Sequence, residues 1–234
     1  MLQLVMTDIG FLREKSVFER QLAQVHPARR EHILRFRLEG DRCRSLAAGL
    51  LLRKIFVQLG LDYDRLEVEV ESSGKPGIKE WKYRDHNQEY AKISRWYYSV
   101  THSEDYAAAA VADVPIGIDL EAIHRFRNKK SMERRFLTGK EKLLLEKILE
   151  EHDAEEYARE AFLARVWTRK EAYAKADGRG LGIDFRRIDT TLEERFWSKQ
   201  LLEDYWLSAY IPDEKVWYDF REHGKIEWEA DWNA

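Results

Sequence analysis

The sequence predicts a mixed α+β (α/β) fold, on three observations. Apolar residues at helical spacing alternate along the chain with short apolar or alternating runs that suit strands. The strand runs come in neighbouring pairs split by short turns, as meanders do, unlike the helix-separated strands of an open parallel sheet. Each half of the chain offers one long helical stretch followed by strands, although no sequence repeat marks a duplication.

The elements follow in order. Residues 2–9 read as a strand, and helices are predicted over 16–25 and 28–38. A third helix takes Asp41 as its N-cap, runs through "RCRSLAAGLLLRKIFVQL" and stops at Gly60. "LEVEV" at 66–70 alternates as a half-buried strand, and "SSGKPG" is a turn by its glycines and proline. Residues 79–93 are polar and irregular, and read as a loop. "WYYSV" is a strand, "THSED" a turn, "YAAAAVA" a buried strand and "VPIGIDLE" another. Helices fill 128–136, 138–151 and 154–176, and the tail after Asp184 reads as strands rich in Trp and Tyr. No low-complexity linker appears; the best boundary is near residues 113–115, dividing the chain into 1–113 and 114–234.

Bulk composition narrows the classes. A chain of 234 residues, 44% of them apolar, can bury a sizeable core. The net charge of −3 supplies no basic field for nucleic acid. Cys43 is the only cysteine, so an internal disulfide and a cysteine-based zinc site are excluded. The N-terminus lacks a basic stretch leading into a long apolar run, and the longest apolar run, "LAAGLLL", is interrupted at Arg53. The expectation is a cytoplasmic, monomeric protein with no nucleic-acid or membrane partner.

Three carboxylates suggest chemistry. In "IGIDLE", strand alternation sends Ile116, Ile118 and Leu120 to one face and Gly117, Asp119 and Glu121 to the other. Two acids on one strand face repel unless a cation or solvent screens them, and their hard oxygens suit Mg²⁺ or Mn²⁺. Gly117 beside them would leave room for a ligand. A solvated strand end is the plainer reading of the pair taken alone. Further on, "WTRKEAYAKADGRGL" sets the carboxylate of Glu171 among Arg169, Lys170, Lys175 and Arg179. Glu171 and Lys175 share a helix face at i, i+4, which is also how an ordinary surface pair is built. Trp167, one turn earlier, reads as core, and Thr138-x-x-Glu141 fits a capping box.

Candidate anion readers are scattered. Lys75 lies in the "GKPG" turn, and His102 in "THSED" is flanked by the Thr101 and Ser103 hydroxyls. Each is equally an ordinary turn residue. Arg44 sits near a helix start, where the dipole makes cations less common than acids.

Taken together and in order, Arg44, "GKPG", "VTHS", "GIDLE" and "WTRKEAYAKADGRGL" resemble the Sfp-type 4′-phosphopantetheinyl transferases, over roughly residues 29–181. The pairing of Gly117-Ile118-Asp119-x-Glu121 with Trp167-x-x-Lys170-Glu171-x-x-x-Lys175 is the most specific part. The resemblance implies two similar, pseudo-symmetric α/β halves with coenzyme A in the cleft between them. It implies transfer of the phosphopantetheine arm of coenzyme A to a carrier-protein serine, with release of 3′,5′-ADP. Asp119, Glu121 and Glu171 would hold Mg²⁺, Glu171 would also be the base, and Lys175 would stabilise the leaving phosphate. Arg29, Arg44, Lys75, Thr101, His102, Lys170 and Lys175 would line the coenzyme A site. The sequence departs from many members at Arg29 and His32, where lysines are frequent, and at Thr101, where serine is. Rival classes are a metal-dependent nuclease, disfavoured by the acidic balance, and a non-catalytic coenzyme A or carrier-binding module, which would leave three acids beside a pyrophosphate without purpose. "HRFRNKKSMERRF", 124–136, holds six cations against Glu133, and Arg125 to Phe136 reads either as a dock for an acidic acyl or peptidyl carrier protein or as a solvated basic helix.

Overall fold

A computed structural model describes residues 1–60, 63, 68–70, 76–78, 83–84, 90–91, 96–151, 155–179, 182–192, 194–230 and 232. The helices are α1 (Lys15–Leu22), α2 (Pro27–Arg35), α3 (Glu39–Gln58), α4 (Lys130–Phe136), α5 (Gly139–Glu151), α6 (Glu155–Asp177) and α7 (Glu214–His223). The long strands are β1 (Leu2–Asp8), β6 (Tyr97–Ser103), β7 (Tyr106–Ala112), β8 (Gly117–Ala122), β9 (Phe196–Leu201), β10 (Tyr205–Tyr210) and β11 (Ile226–Glu229). Short ladders pair β2 (Val68–Val70) with β3 (Pro76–Ile78), and β4 (Tyr83–Arg84) with β5 (Tyr90–Ala91). The mixed α+β expectation holds.

Two sheets form the frame, one in the order β11-β1-β7-β6 and one in the order β8-β10-β9. Strand alternation explains how the first sheet is buried on both faces. Val5, Ala107, Ala109 and Val111 face α3, whose Leu46, Ala47, Leu50, Leu51 and Ile55 complete that core. Leu4, Met6, Ala108, Ala110 and Ala112 face the other way, into a core shared with Ile118, Leu120, Leu207, Trp217 and Phe220. The alanine run of β7 is what a central strand covered on both faces requires. A third core gathers Phe126, Phe136, Leu145, Phe162, Leu163 and Val166, with Trp167 against them as expected. Trp167 meets Phe136 at 5.4 Å and Phe185 at 5.5 Å between ring centroids.

Several local expectations change. The third helix starts two residues before Asp41, with Leu38 at its N-cap position; the Asp41 carboxylate accepts from Arg44 instead, at 2.6 Å. "THS" is not a turn: β6 runs through Ser103, and Glu104, at a left-handed φ of 48°, closes the hairpin. The tail is not all strands. Asp213 caps α7, with its carboxylate accepting from Val216 N–H at 2.9 Å, and Trp217 and Phe220 are buried in the core shared with the sheets, Phe220 against Trp197 of β9. After α7 the chain returns to the first sheet, where β11 pairs in parallel with β1, so residues 226–229 of the second half complete the sheet of the first. Lys75 and most of the 79–93 segment lie outside the described residues. Among those described, no helix is long and apolar enough to cross a membrane.

Candidate active site

The site forms where the two sheets meet. β6 and β8 are outer strands of their sheets, yet they run side by side. Hydroxyls bridge them in place of a backbone ladder. Ile118 N–H donates to Ser99 Oγ at 3.0 Å, Leu120 N–H to Thr101 Oγ1 at 3.1 Å and Ala122 N–H to Ser103 Oγ at 3.2 Å. All three hydroxyl residues are buried. Ser99 had drawn no role from the sequence, and Ser103 only that of a turn hydroxyl; their signal was a hydroxyl at every second residue of one strand.

α6 lies across β8 and β10, and Gly117 is why it can come so close. A Cβ there would overlap the carbonyl oxygen of Ala172 and crowd the backbone N of Ala176. The space beside Gly117 is therefore filled by helix backbone and is not open to a ligand, contrary to expectation. This close approach sets Glu171 and Lys175 beside the acids of β8. Lys175 Nζ donates to Asp119 Oδ1 at 2.7 Å, to Ile118 O at 3.0 Å and to Val100 O at 3.4 Å, tying both strands of the seam. Asp119 Oδ1 also accepts from Thr101 Oγ1 at 3.0 Å. Glu121 accepts from Arg125 at 2.8 Å.

The electrostatics record a surplus of negative charge. Burial, then the charge of Asp119, pushes the Glu121 carboxyl up to about 7, against the pull of Arg125 and Lys175. Glu171 is raised by the same two causes and lowered by Lys175. His102 is held below the ordinary histidine range by the protein around it and by the cations Arg44 and Lys175, which places all three in one neighbourhood with Asp119 and Asp41. Arg44 also donates to the carbonyl of Glu104 at 3.3 Å.

Two residues expected at coenzyme A are buried and bonded to the protein's own groups. Lys170 is fully enclosed: its Nζ pairs with Glu141 at 2.8 Å and bonds the carbonyls of Phe136, Phe185 and Ile188 at 2.7–2.8 Å. An ammonium with four protein acceptors at 0% exposure has no face left for a phosphate. Thr101 is 5% exposed, and its single hydroxyl proton is given to Asp119. Arg169 is likewise turned inward, onto Ser198 Oγ and Thr190 O. Of the cations around Glu171, only Lys175 joins it. Arg29 belongs to the α2–α3 packing: it donates to Ser45 O at 3.1 Å, and the absent side chain of Gly49 makes room for it. Its buried Nε has no hydrogen-bond partner among the described residues. The capping box does form, between Thr138 and Glu141.

The basic stretch is only partly a surface. Phe126 and Phe136 are buried at 4% and 1%, so they give a partner no apolar contact. Arg125 is bound to Glu121, while Arg127, Lys129, Arg134 and Arg135 are exposed.

As to metal, no group of three His, Cys, Asp or Glu side chains among the described residues stands arranged to hold an ion. Lys175 instead takes one oxygen of Asp119, and Arg125 one oxygen of Glu121. The donor chemistry nevertheless fits a hard divalent cation. Two of the three carboxylates are pushed toward protonation by burial and mutual repulsion, which is the strain a cation relieves. The same strain gives a stability prediction. A carboxylate with a raised folded-state pKa destabilises the fold once pH passes its unfolded value, fully so above about 7. At about 1.4 kcal/mol per unit, discounted for the side chain's access to water, the effect is roughly 2 kcal/mol. Glu121→Gln should therefore raise the thermal midpoint of the metal-free protein by roughly 5 °C at pH 8. The gain should vanish as pH falls toward 4.5, as scanning calorimetry across pH would read.

Known proteins resemble this chain over most of its length. The family model described as 4′-phosphopantetheinyl transferase, N-terminal, matches residues 13–114, and the 4′-phosphopantetheinyl transferase superfamily model matches residues 115–215. A 4′-phosphopantetheinyl transferase of Paxillus involutus is 30% identical over 200 residues, 77% of this chain and 70% of its own. One of Bacillus pumilus is 27% identical over 180 residues, covering 75% and 69%. The L-aminoadipate-semialdehyde dehydrogenase-phosphopantetheinyl transferase of Mus musculus is 28% identical over 173 residues, 72% of this chain; the match spans about half of the mouse protein, 53%. The chain belongs to the 4′-phosphopantetheinyl transferase superfamily.

Proposed function

We propose that the protein moves the 4′-phosphopantetheine arm of coenzyme A onto a serine of an acyl or peptidyl carrier protein, with Mg²⁺, releasing 3′,5′-ADP. The observation that carries this reading is the meeting of Asp119, Glu121, Glu171 and Lys175 at the junction of β6, β8 and α6. A divalent ion held by the three carboxylates would neutralise the pyrophosphate of coenzyme A and polarise it for displacement. The serine oxygen bonds to the phosphorus that bears the pantetheine arm as the bridging P–O bond to 3′,5′-ADP breaks. Glu171 takes the hydroxyl proton; burial and the charge of Asp119 raise its pKa, which makes it a stronger base than an ordinary carboxylate. Lys175, already anchored on Asp119, places a cation beside the leaving phosphate. Mass spectrometry of a carrier domain incubated with protein, coenzyme A and Mg²⁺ should show the gain of one phosphopantetheinyl group, abolished by EDTA. An unmodified carrier would sink the reading.

Arg44 and His102 take the nucleotide end, with Arg44 on the 3′-phosphate. The pull of the Arg44 charge on His102 and the bond of Arg44 to Glu104 O, two residues further on, support this. A lost charge-assisted contact weakens binding by about tenfold or more. Arg44→Ala should weaken coenzyme A by that factor and dephospho-coenzyme A, which lacks the 3′-phosphate, by much less. Equal losses in calorimetric titrations would move Arg44 elsewhere.

For the carrier, the exposed cations Arg127, Lys129, Arg134 and Arg135 offer charge without apolar anchors. Arg134→Glu with Arg135→Glu should raise the carrier KM several-fold at low salt, and less at high salt, with the coenzyme A KM unchanged. These two are chosen over Arg125 because Arg125 touches Glu121.

A further inference from the structure

The hydroxyl seam does more than join two sheets. Paired as 99 with 118, 101 with 120 and 103 with 122, β6 and β8 run parallel, with each Oγ standing where a backbone carbonyl would accept. Each bond satisfies an N–H that would otherwise be buried without a partner. Ser99, Thr101 and Ser103 share that duty, but among the described residues only Thr101 shows a second one. With one lone pair taken by Leu120 N–H, its one proton points at Asp119 Oδ1, 3.0 Å away. Lys175 reaches the same oxygen from α6 at 2.7 Å. Two donors from two different elements thus fix the plane of one carboxylate.

We propose that Thr101 is a positioning residue: it holds the Asp119 carboxylate in place for a divalent cation across the seam and makes no contact with coenzyme A. The role rests on the metal reading above. Partners that orient a metal-binding carboxylate are worth about 10- to 100-fold in metal affinity. A contact to coenzyme A would show instead in the binding of that substrate.

The experiment titrates the full chain with Mn²⁺ alone, following free Mn²⁺ by electron paramagnetic resonance, and reads kcat and KM at saturating Mn²⁺. Thr101→Val should weaken Mn²⁺ binding by roughly tenfold or more, with Thr101→Ser restoring it to within about threefold. Thr101→Ala, a smaller disturbance of packing, carries the same expectation should the valine variant fold poorly. Ser99→Ala breaks the same kind of seam bond without touching a carboxylate. It should cost comparable thermal stability and leave Mn²⁺ affinity within about threefold. At saturating Mn²⁺ the coenzyme A KM of the Thr101 variants should stay near that of the wild type. A folded Thr101→Ala protein that binds Mn²⁺ normally overturns the proposal. So does an equal loss in Ser99→Ala, which would assign the effect to the seam as a whole. Wild-type protein that binds no Mn²⁺ overturns the metal reading itself and this role with it, a result distinct from the other two.

Discussion

Glu171→Gln should lower kcat by about 10² to 10⁴ while leaving the protein folded, the range lost when a positioned base is removed. The substitution keeps the shape and an oxygen donor but cannot accept the serine proton. Glu171 is half-buried on α6, and burial followed by the charge of Asp119 raises its pKa. Neutralising it removes repulsion, so the thermal midpoint should hold or rise slightly. If Glu171 is the base, the acidic limb of the kcat profile should also disappear from the residual activity. The coenzyme A KM should change little, because the nucleotide end is assigned to Arg44 and His102. Retention of more than about a tenth of the wild-type kcat would remove Glu171 from proton transfer. A loss cured by raising Mg²⁺ would leave it as a metal ligand only.

What was legible in the sequence is what local periodicity writes. The alternation of "IGIDLE" placed the core face of β8 correctly, with Ile116, Ile118 and Leu120 fully buried, and the i, i+4 spacing placed Glu171 and Lys175 on one face of α6. What was not legible depended on partners distant in the chain. Nothing local tells a glycine that admits a ligand from one that admits a helix, and Gly117 is the second kind because the turn of α6 at Ala172 and Ala176, distant in the chain, packs on it. The "THS" of β6 looked like a turn because hydroxyls favour turns; here they are paid for by the N–H groups of β8. α7 was hidden by its Trp and Tyr content, which suits strands, although Asp213 ahead of Val216 was a usable cap signal. Basic charge misled most. In "WTRKEAYAK" the sequence shows four formal charges of which two, Arg169 and Lys170, are buried and spent on the protein's own acceptors.

Lys170→Met should destabilise the protein by about 3–5 kcal/mol, the cost of removing one partner of a buried ion pair. The methionine fills much of the space, so the loss comes chiefly from Glu141, left as a carboxylate at 0% exposure without its 2.8 Å cation. Three carbonyls lose a donor as well: Phe136 O at the end of α4, and Phe185 O and Ile188 O around the 185–187 turn. Burial already holds the Lys170 pKa below the usual lysine value, against the pull of Glu141. In a chain of this length the midpoint should fall by roughly 10 °C. Adding Glu141→Gln separates charge from packing. Glutamine keeps one oxygen for Thr190 N–H and gives up the bond from Thr138 N–H, which the other carboxylate oxygen of Glu141 accepts now, but it carries no charge to strand. The double variant should therefore recover about half of the loss, and a double-mutant cycle by denaturant melts would read the coupling. Because Lys170 precedes Glu171 on α6, surviving folded protein should keep its coenzyme A affinity and lose some kcat through a looser helix. A Lys170→Met protein of normal stability but weakened coenzyme A binding would reverse the assignment and return Lys170 to the ligand.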